Sequence, residues 1–363
     1  MKHFITKNWK LLLNVFTIGA LLVAIVLLRD DLMETWVRLR ELNTIVLFLM
    51  IPLQAMNYSC WTHVYYEILG IIASKQSKNI PRREMYKIML ELNFVNVVFP
   101  TGGVSGFTYL RARLKPFGVS TAQATFTQAM RFMLTFLTYI ILLFIGLFML
   151  ALGGSASNMT ILITCSFAFI VLFSTIIGVY IISSKGRIHR FTQSLTKFLN
   201  KVIQIIRPKN PESINLKRVE YVFEEMHQNY QHIKENWGEI RRPFAYSLLG
   251  NITELATIYA VYIAHGAWIN PGAVIIAYAL ANFAGLVAIL PGGIGVYEAL
   301  MTTVMVSAGV PAGLSLSVTL IYRIINMLLS LPIGFYFYNR ALPDLGVDAE
   351  SYRRKKKSIA PHV

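Results

Sequence analysis

Four pairs of polar residues stand inside strongly apolar stretches of this sequence, each pair three residues apart: Gln54 and Asn57, Gln128 and Arg131, Asn251 and Glu254, Arg323 and Asn326. Asn93 and Asn96 repeat the spacing. Residues three apart on a helix share a face, so each pair presents two polar groups in one direction. A charge in lipid costs at least ~2.5–3.5 kcal/mol even on insertion scales and should face a partner or a watery cavity. Two readings follow. Arg131 and Arg323 could pair with Glu254 and Glu298 and lock helices together. Alternatively, unneutralised arginines could receive an anionic head group, because the guanidinium fork matches phosphate oxygens. The two are compatible if a pair opens during a cycle.

The elements that would position these residues are membrane spans. Of 363 residues 55% are hydrophobic and only 14% charged, and several apolar runs reach the ~18 residues of a transmembrane helix. The fold class expected is an all-α integral membrane protein. Six spans are predicted: 11–28, 44–69, 121–152, 159–183, 243–264 and 314–338. Ser120 with Gln123 forms a capping box opening the third. The first is kept as a span because it lacks the short core and cleavage site of a signal peptide. Arg131 and Glu254 each lie 11 residues beyond the expected start of their helix, about 16 Å of rise, and Arg323 lies nine residues in. All three therefore reach mid-depth of a hydrocarbon core about 30 Å thick. Cys60 and Cys165 both fall in spans and are read as small core residues, with no disulfide or metal role.

Between the spans lie two broken segments, roughly 85–110 and 273–308. The first contains Pro100-Thr101-Gly102-Gly103, the second Pro291-Gly292-Gly293-Ile294-Gly295-Val296-Tyr297-Glu298. Each break follows an Asn-Phe dipeptide, Asn93-Phe94 and Asn282-Phe283. Lys and Arg are concentrated at the N-terminus, in 74–92, 111–116 and 184–242, and in the tail, whereas 153–158, 265–272 and 309–313 carry none. The positive-inside rule then makes both termini and the long loop cytoplasmic. The first broken segment starts and ends at basic loops and the second at uncharged ones, so they have opposite orientation. Inverted repeats with interrupted helices point to a transporter site near the midplane. Non-helical backbone at such depth survives only inside protein or beside water. The plainer alternative is that 273–290 and 293–308 are two full spans joined by a turn. If the helices are broken, Gly102, Gly103, Gly292 and Gly293 would expose backbone amides to an anion.

The long loop predicts a hairpin of helices over 184–242. Ile188, Phe191, Leu195, Leu199, Val202 and Ile206 form one face of a basic amphipathic helix, suited to an anionic leaflet. Val219, Phe223, Met226, Tyr230, Ile233 and Trp237 mark the second helix. Residues 341–363 form a basic tail, read as disordered near lipid head groups, with no nucleic-acid role. His63 and Glu67 are read as a local hydrogen bond. No nucleotide, zinc or hydrolase motif is present, so no cofactor is expected, and transport would be facilitated or ion-coupled. Asp30 and Asp31 are the most enzyme-like feature, similar to the acidic motif of polyprenyl-phosphate-sugar glycosyltransferases, but helix capping explains them better.

The Pro-Gly-Gly…Glu motif at 291–298, with Arg131 upstream and Arg323 downstream, resembles the flippase-like transmembrane domain of lysylphosphatidylglycerol synthases, which also occurs alone. The resemblance covers about residues 8–340. It implies one polytopic domain over 1–340 that moves an anionic phospholipid or polyprenyl-phosphate-type head group across a bacterial plasma membrane, without enzyme activity. The full synthase has a C-terminal aminoacyl-transferase domain, so aminoacyl-lipid synthesis is not expected. The first motif departs from the family pattern: many relatives carry Gly-Glu-Leu after the proline, whereas Gly103-Val104-Ser105-Gly106 has no acid. The expected site is Arg131, Arg323, Gln128 and Asn326 with the four glycines, and Glu254 and Glu298 balance charge or carry a coupling proton. The rival reading is a non-transporting partner of a lipid-modifying or cell-envelope enzyme.

Overall fold

The computed structural model describes residues 42–99, 104–154, 158–206, 216–287 and 295–358. The expected first span, Asp30 and Asp31, and the glycines Gly102, Gly103, Gly292 and Gly293 lie outside these residues. Among the described residues the fold is all-helical. A short helix, Thr44–Phe48, leads into α1 (Met50–Ile72). There follow α2 (Arg82–Val98), α3 (Val104–Leu114), α4 (Thr121–Leu152) and α5 (Asn158–Ile182). The hairpin is α6 (Lys185–Ile206) and α7 (Leu216–Glu235). The chain ends with α8 (Arg241–Ala264), α9 (Pro271–Val287), α10 (Val296–Ser307) and α11 (Ala312–Ser358). Five stretches are long and apolar enough to cross a membrane: Thr44–Ile72, Thr121–Leu152, Thr160–Ile182, Trp237–Ala264 and Ala312–Pro343.

The helices of the two broken segments are shorter. The 11 residues of α3 and the 12 of α10 rise only about 17–18 Å, well short of the ~30 Å hydrocarbon core. Each leading helix is seated on a long span through a glycine. A Cβ at Gly334 of α11 would stand 2.7 Å from both the Leu90 carbonyl oxygen and the Phe94 Cβ of α2. A Cβ at Gly272 of α9 would stand 2.2 Å from the Gly146 oxygen of α4.

Buried apolar residues form two cores. One, at the end bearing the hairpin, includes Tyr65, Ile88, Leu110, Met130, Leu134 and Met226. The other includes Met50, Leu143, Val261, Ile276, Met301 and Tyr322. The seam between them falls between Met50 and Trp61 on α1, Leu134 and Tyr139 on α4, Ile240 just before α8 and Leu255 on it, and Tyr322 and Tyr338 on α11. Gln54, Asn57, Asn251, Glu254, Arg323 and Asn326 all lie within those intervals, and Arg131 lies three residues before the one on α4.

Three local expectations are corrected. Cys165 is exposed rather than buried, because α5 is apolar all round and its sequence marks no core face; only 22% of its span is buried. His63 places its Nδ1 2.8 Å from the Ser59 carbonyl oxygen and stacks on Tyr246, instead of bonding to Glu67. The last helix also runs on to Ser358, where the sequence suggested an unstructured tail.

Candidate functional site

The polar seam is built from α1, α4, α8, α10 and α11. Glu254, on α8, accepts hydrogen bonds from Gln54 Nε2 at 3.4 Å, Asn326 Nδ2 at 3.1 Å and the Tyr322 hydroxyl. Its partners are neutral donors from α1 and α11, so the carboxyl joins three helices. Asn57 and Asn251, read as members of the same polar set, turn to packing instead. Asn57 Nδ2 donates to the Gly250 carbonyl at 2.7 Å and to Thr253 Oγ1 at 3.3 Å, and Asn251 Nδ2 donates to Thr138 Oγ1 at 2.6 Å.

Arg323 and Glu298 are both buried and form an ion pair. Glu298 Oε2 also accepts the Gly295 N–H at 2.7 Å, capping α10 directly after the second break. The Tyr297 ring lies 4.9 Å from the Arg323 guanidinium carbon. The pair ties α10 to α11.

Arg131 is different. Its guanidinium carbon lies 4.7 Å from the Trp61 ring and 5.2 Å from the Phe132 ring. Among the described residues it has neither a carboxylate nor a hydrogen-bond acceptor, and its buried Nε is unpartnered. One turn earlier, Gln128 is fully buried; its Oε1 accepts from the Tyr65 hydroxyl at 2.6 Å, but its Nε2 has no partner. Aromatic faces attract a cation yet take up none of the five guanidinium N–H donors. On the acceptor side, Asn326 Oδ1 is likewise unpartnered.

Tyrosines stand among the charged groups. The Tyr322 hydroxyl bonds Glu254 and the Tyr297 ring lies against Arg323, while Tyr139 packs edge-on to Tyr278 at 5.7 Å. Sequence reading missed these residues because a tyrosine in a span counts as apolar. It also missed Glu91, which lies in the first broken segment and is buried. Arg113 Nε donates to Glu91 at 2.7 Å and its Nη2 donates to Glu84 at 2.9 Å, while the Tyr109 hydroxyl reaches Glu91 at 2.9 Å. The first segment thus has its own acid, supplied from outside its glycine motif.

A family profile, the lysylphosphatidylglycerol synthase TM region, matches residues 12–334. The chain belongs to this family. A relative within the curated proteins, the UPF0104 membrane protein of Methanothermobacter thermautotrophicus, is 32% identical over 123 residues. That stretch is 34% of this chain and 37% of the relative, so the match spans little more than a third of either protein. Family membership and the five apolar spans make the chain a multi-pass membrane protein.

Proposed function

We propose that this chain translocates an anionic phospholipid or lipid-linked head group across the plasma membrane without ATP, with both termini cytoplasmic. The observation that carries the reading is Arg131: a guanidinium within a long apolar span, held between aromatic rings, with its buried Nε unpartnered and the unpartnered Nε2 of Gln128 one turn away. A phosphate would take up these donors in charge-assisted hydrogen bonds, which are roughly twice as strong as neutral ones. Arg323 is already neutralised by Glu298, so it would reach a phosphate only when that pair opens. Glu254, surrounded by neutral donors, is the candidate to carry a coupling proton. Gly102, Gly103, Gly292 and Gly293 would supply amides and hinges.

The test is head-group-selective translocation in reconstituted vesicles, comparing fluorescent phosphatidylglycerol with a neutral lipid. Faster movement of the anionic lipid than in protein-free vesicles supports the proposal. No movement above protein-free vesicles for several anionic lipids would overturn it. That result would favour the partner reading, for which the buried Arg323–Glu298 and Arg113–Glu91 pairs would serve as fixed struts.

A further inference from the structure

A cavity lies between α4 and α5, beside the charged seam, with a volume of about 630 Å³, within the ~300–1,000 Å³ of ordinary ligand clefts. One wall is the face of α4 from Phe126 to Phe136, and the other is the face of α5 from Val171 to Ile182. Tyr230, Ile233 and Trp237 of the hairpin close the end nearest the basic loops. The hairpin is fixed there because His227 Nδ1 lies 2.7 Å from the Ile182 carbonyl oxygen. Phe107 and Phe283 complete the wall from the two broken segments.

The lining is almost wholly apolar. The Thr175 hydroxyl is turned away, donating to the Val171 carbonyl at 2.8 Å. Water needs two to four polar partners to occupy a site, and the apolar side chains that dominate this lining offer few. Its length matches a lipid chain. The 12 residues from Val171 to Ile182 span about 16 Å, close to half of the ~30 Å hydrocarbon core. A narrow, flexible hydrocarbon chain one leaflet long fits a cleft of this length and apolar lining. Immediately past Ile182 the chain turns into α6, which begins with Lys185, Arg187 and Arg190. Cations thus stand where the head group of such a lipid would emerge.

We propose that this cavity is a binding site for one acyl chain of a phospholipid from the leaflet adjoining the basic loops. The lipid lies along α5 with its chain between α4 and α5 and its phosphate near the start of α6. Phe132 lines the cavity and also lies against Arg131, so the lipid would brace the ring on which that guanidinium rests. The site requires no transport and is tested separately from the translocation proposed above.

The experiment uses the full chain in vesicles of phosphatidylglycerol and phosphatidylethanolamine doped with a mid-chain diazirine phosphatidylglycerol. After irradiation, lipid adducts are mapped on peptides. Adducts are expected on the cavity faces of α4 and α5 several-fold above those on the outward residues Phe169, Phe173, Ile176 and Tyr180, which are all exposed. A Cβ at Gly178 would meet nothing within 4 Å, so Gly178→Phe fills the cavity without a backbone clash, and Ser174→Phe fills it from one turn away. Both variants should lose the cavity adducts several-fold and keep the outward ones. Equal labelling of the two faces in the wild type, or cavity labelling undiminished in a folded variant, would overturn the proposal.

Discussion

Arg113 Nε donates to Glu91 at 2.7 Å, joining α3 to α2 across the first break. Both side chains are almost completely buried, and Glu84 takes a second bond from the same guanidinium. The two halves of the first segment are therefore tied by charge at the end where their backbones part. In the second segment, the corresponding tie runs from Glu298 of α10 to Arg323 of the neighbouring span.

Breaking the first tie from one side leaves a buried cation uncompensated. Glu91→Ala should destabilise the protein by about 3–5 kcal/mol, the usual cost of removing one partner of a buried pair. Replacing both Glu91 and Arg113 by leucine should cost less, because no lone charge remains. Thermal unfolding in detergent separates the two outcomes.

Glu84 adds a pH dependence. Burial alone would raise its carboxyl, but hydrogen bonds and charge from Lys87 and Arg113 outweigh this and hold it below its ordinary 4.5. A carboxyl lowered in the folded state stabilises the protein above its unfolded value and loses that contribution as pH falls through the folded value. Unfolding temperature should therefore fall as pH drops below about 4.5, and Glu84→Gln should flatten that acid limb. An unchanged limb in Glu84→Gln would contradict the assignment.

Glycine positions should sort by what a Cβ meets. Gly272→Ala drives a methyl into the Gly146 carbonyl and should cost about 1–3 kcal/mol or more as overpacking. Gly295→Ala has open space but a φ of 85°, so its cost of about 1–3 kcal/mol is conformational. Gly178→Ala meets neither obstacle and should gain roughly 0.5–1 kcal/mol as a helix-interior replacement. Unfolding temperatures of the three variants, measured side by side, check the order.

How much of this was legible in the sequence differs by scale. Helix ends were readable where a side chain marks them: Ser120 and Gln123 exchange the two bonds of a capping box, at 3.1 and 2.9 Å, and α4 begins at the following residue. The hairpin was readable because its apolar face repeats every three to four residues, and Phe191 meets Phe223 across it at 6.0 Å. Partners were not readable. Spacing places Gln54 and Asn57 on one face of α1, yet one bonds Glu254 and the other the Gly250 backbone, a division set by how α8 crosses. Glu91 escaped notice because charges near 74–92 counted only toward orientation, whereas Arg113 folds back onto it from the next helix. Local pattern identifies the helices, but the pairing of charges is decided by contacts some 20 residues or more apart, such as Glu91 with Arg113 and Glu298 with Arg323.

The central claim is that the Arg131 guanidinium is kept free for an anion. The most direct test is Arg131→Gln, measured for both phosphatidylglycerol translocation in vesicles and unfolding temperature. A residue kept for function at the expense of stability predicts translocation falling to the level of protein-free vesicles while the unfolding temperature holds or rises, because an unneutralised intramembrane charge has been removed. Wild-type translocation in the variant, or a marked loss of stability with it, would contradict the account and make Arg131 a structural residue.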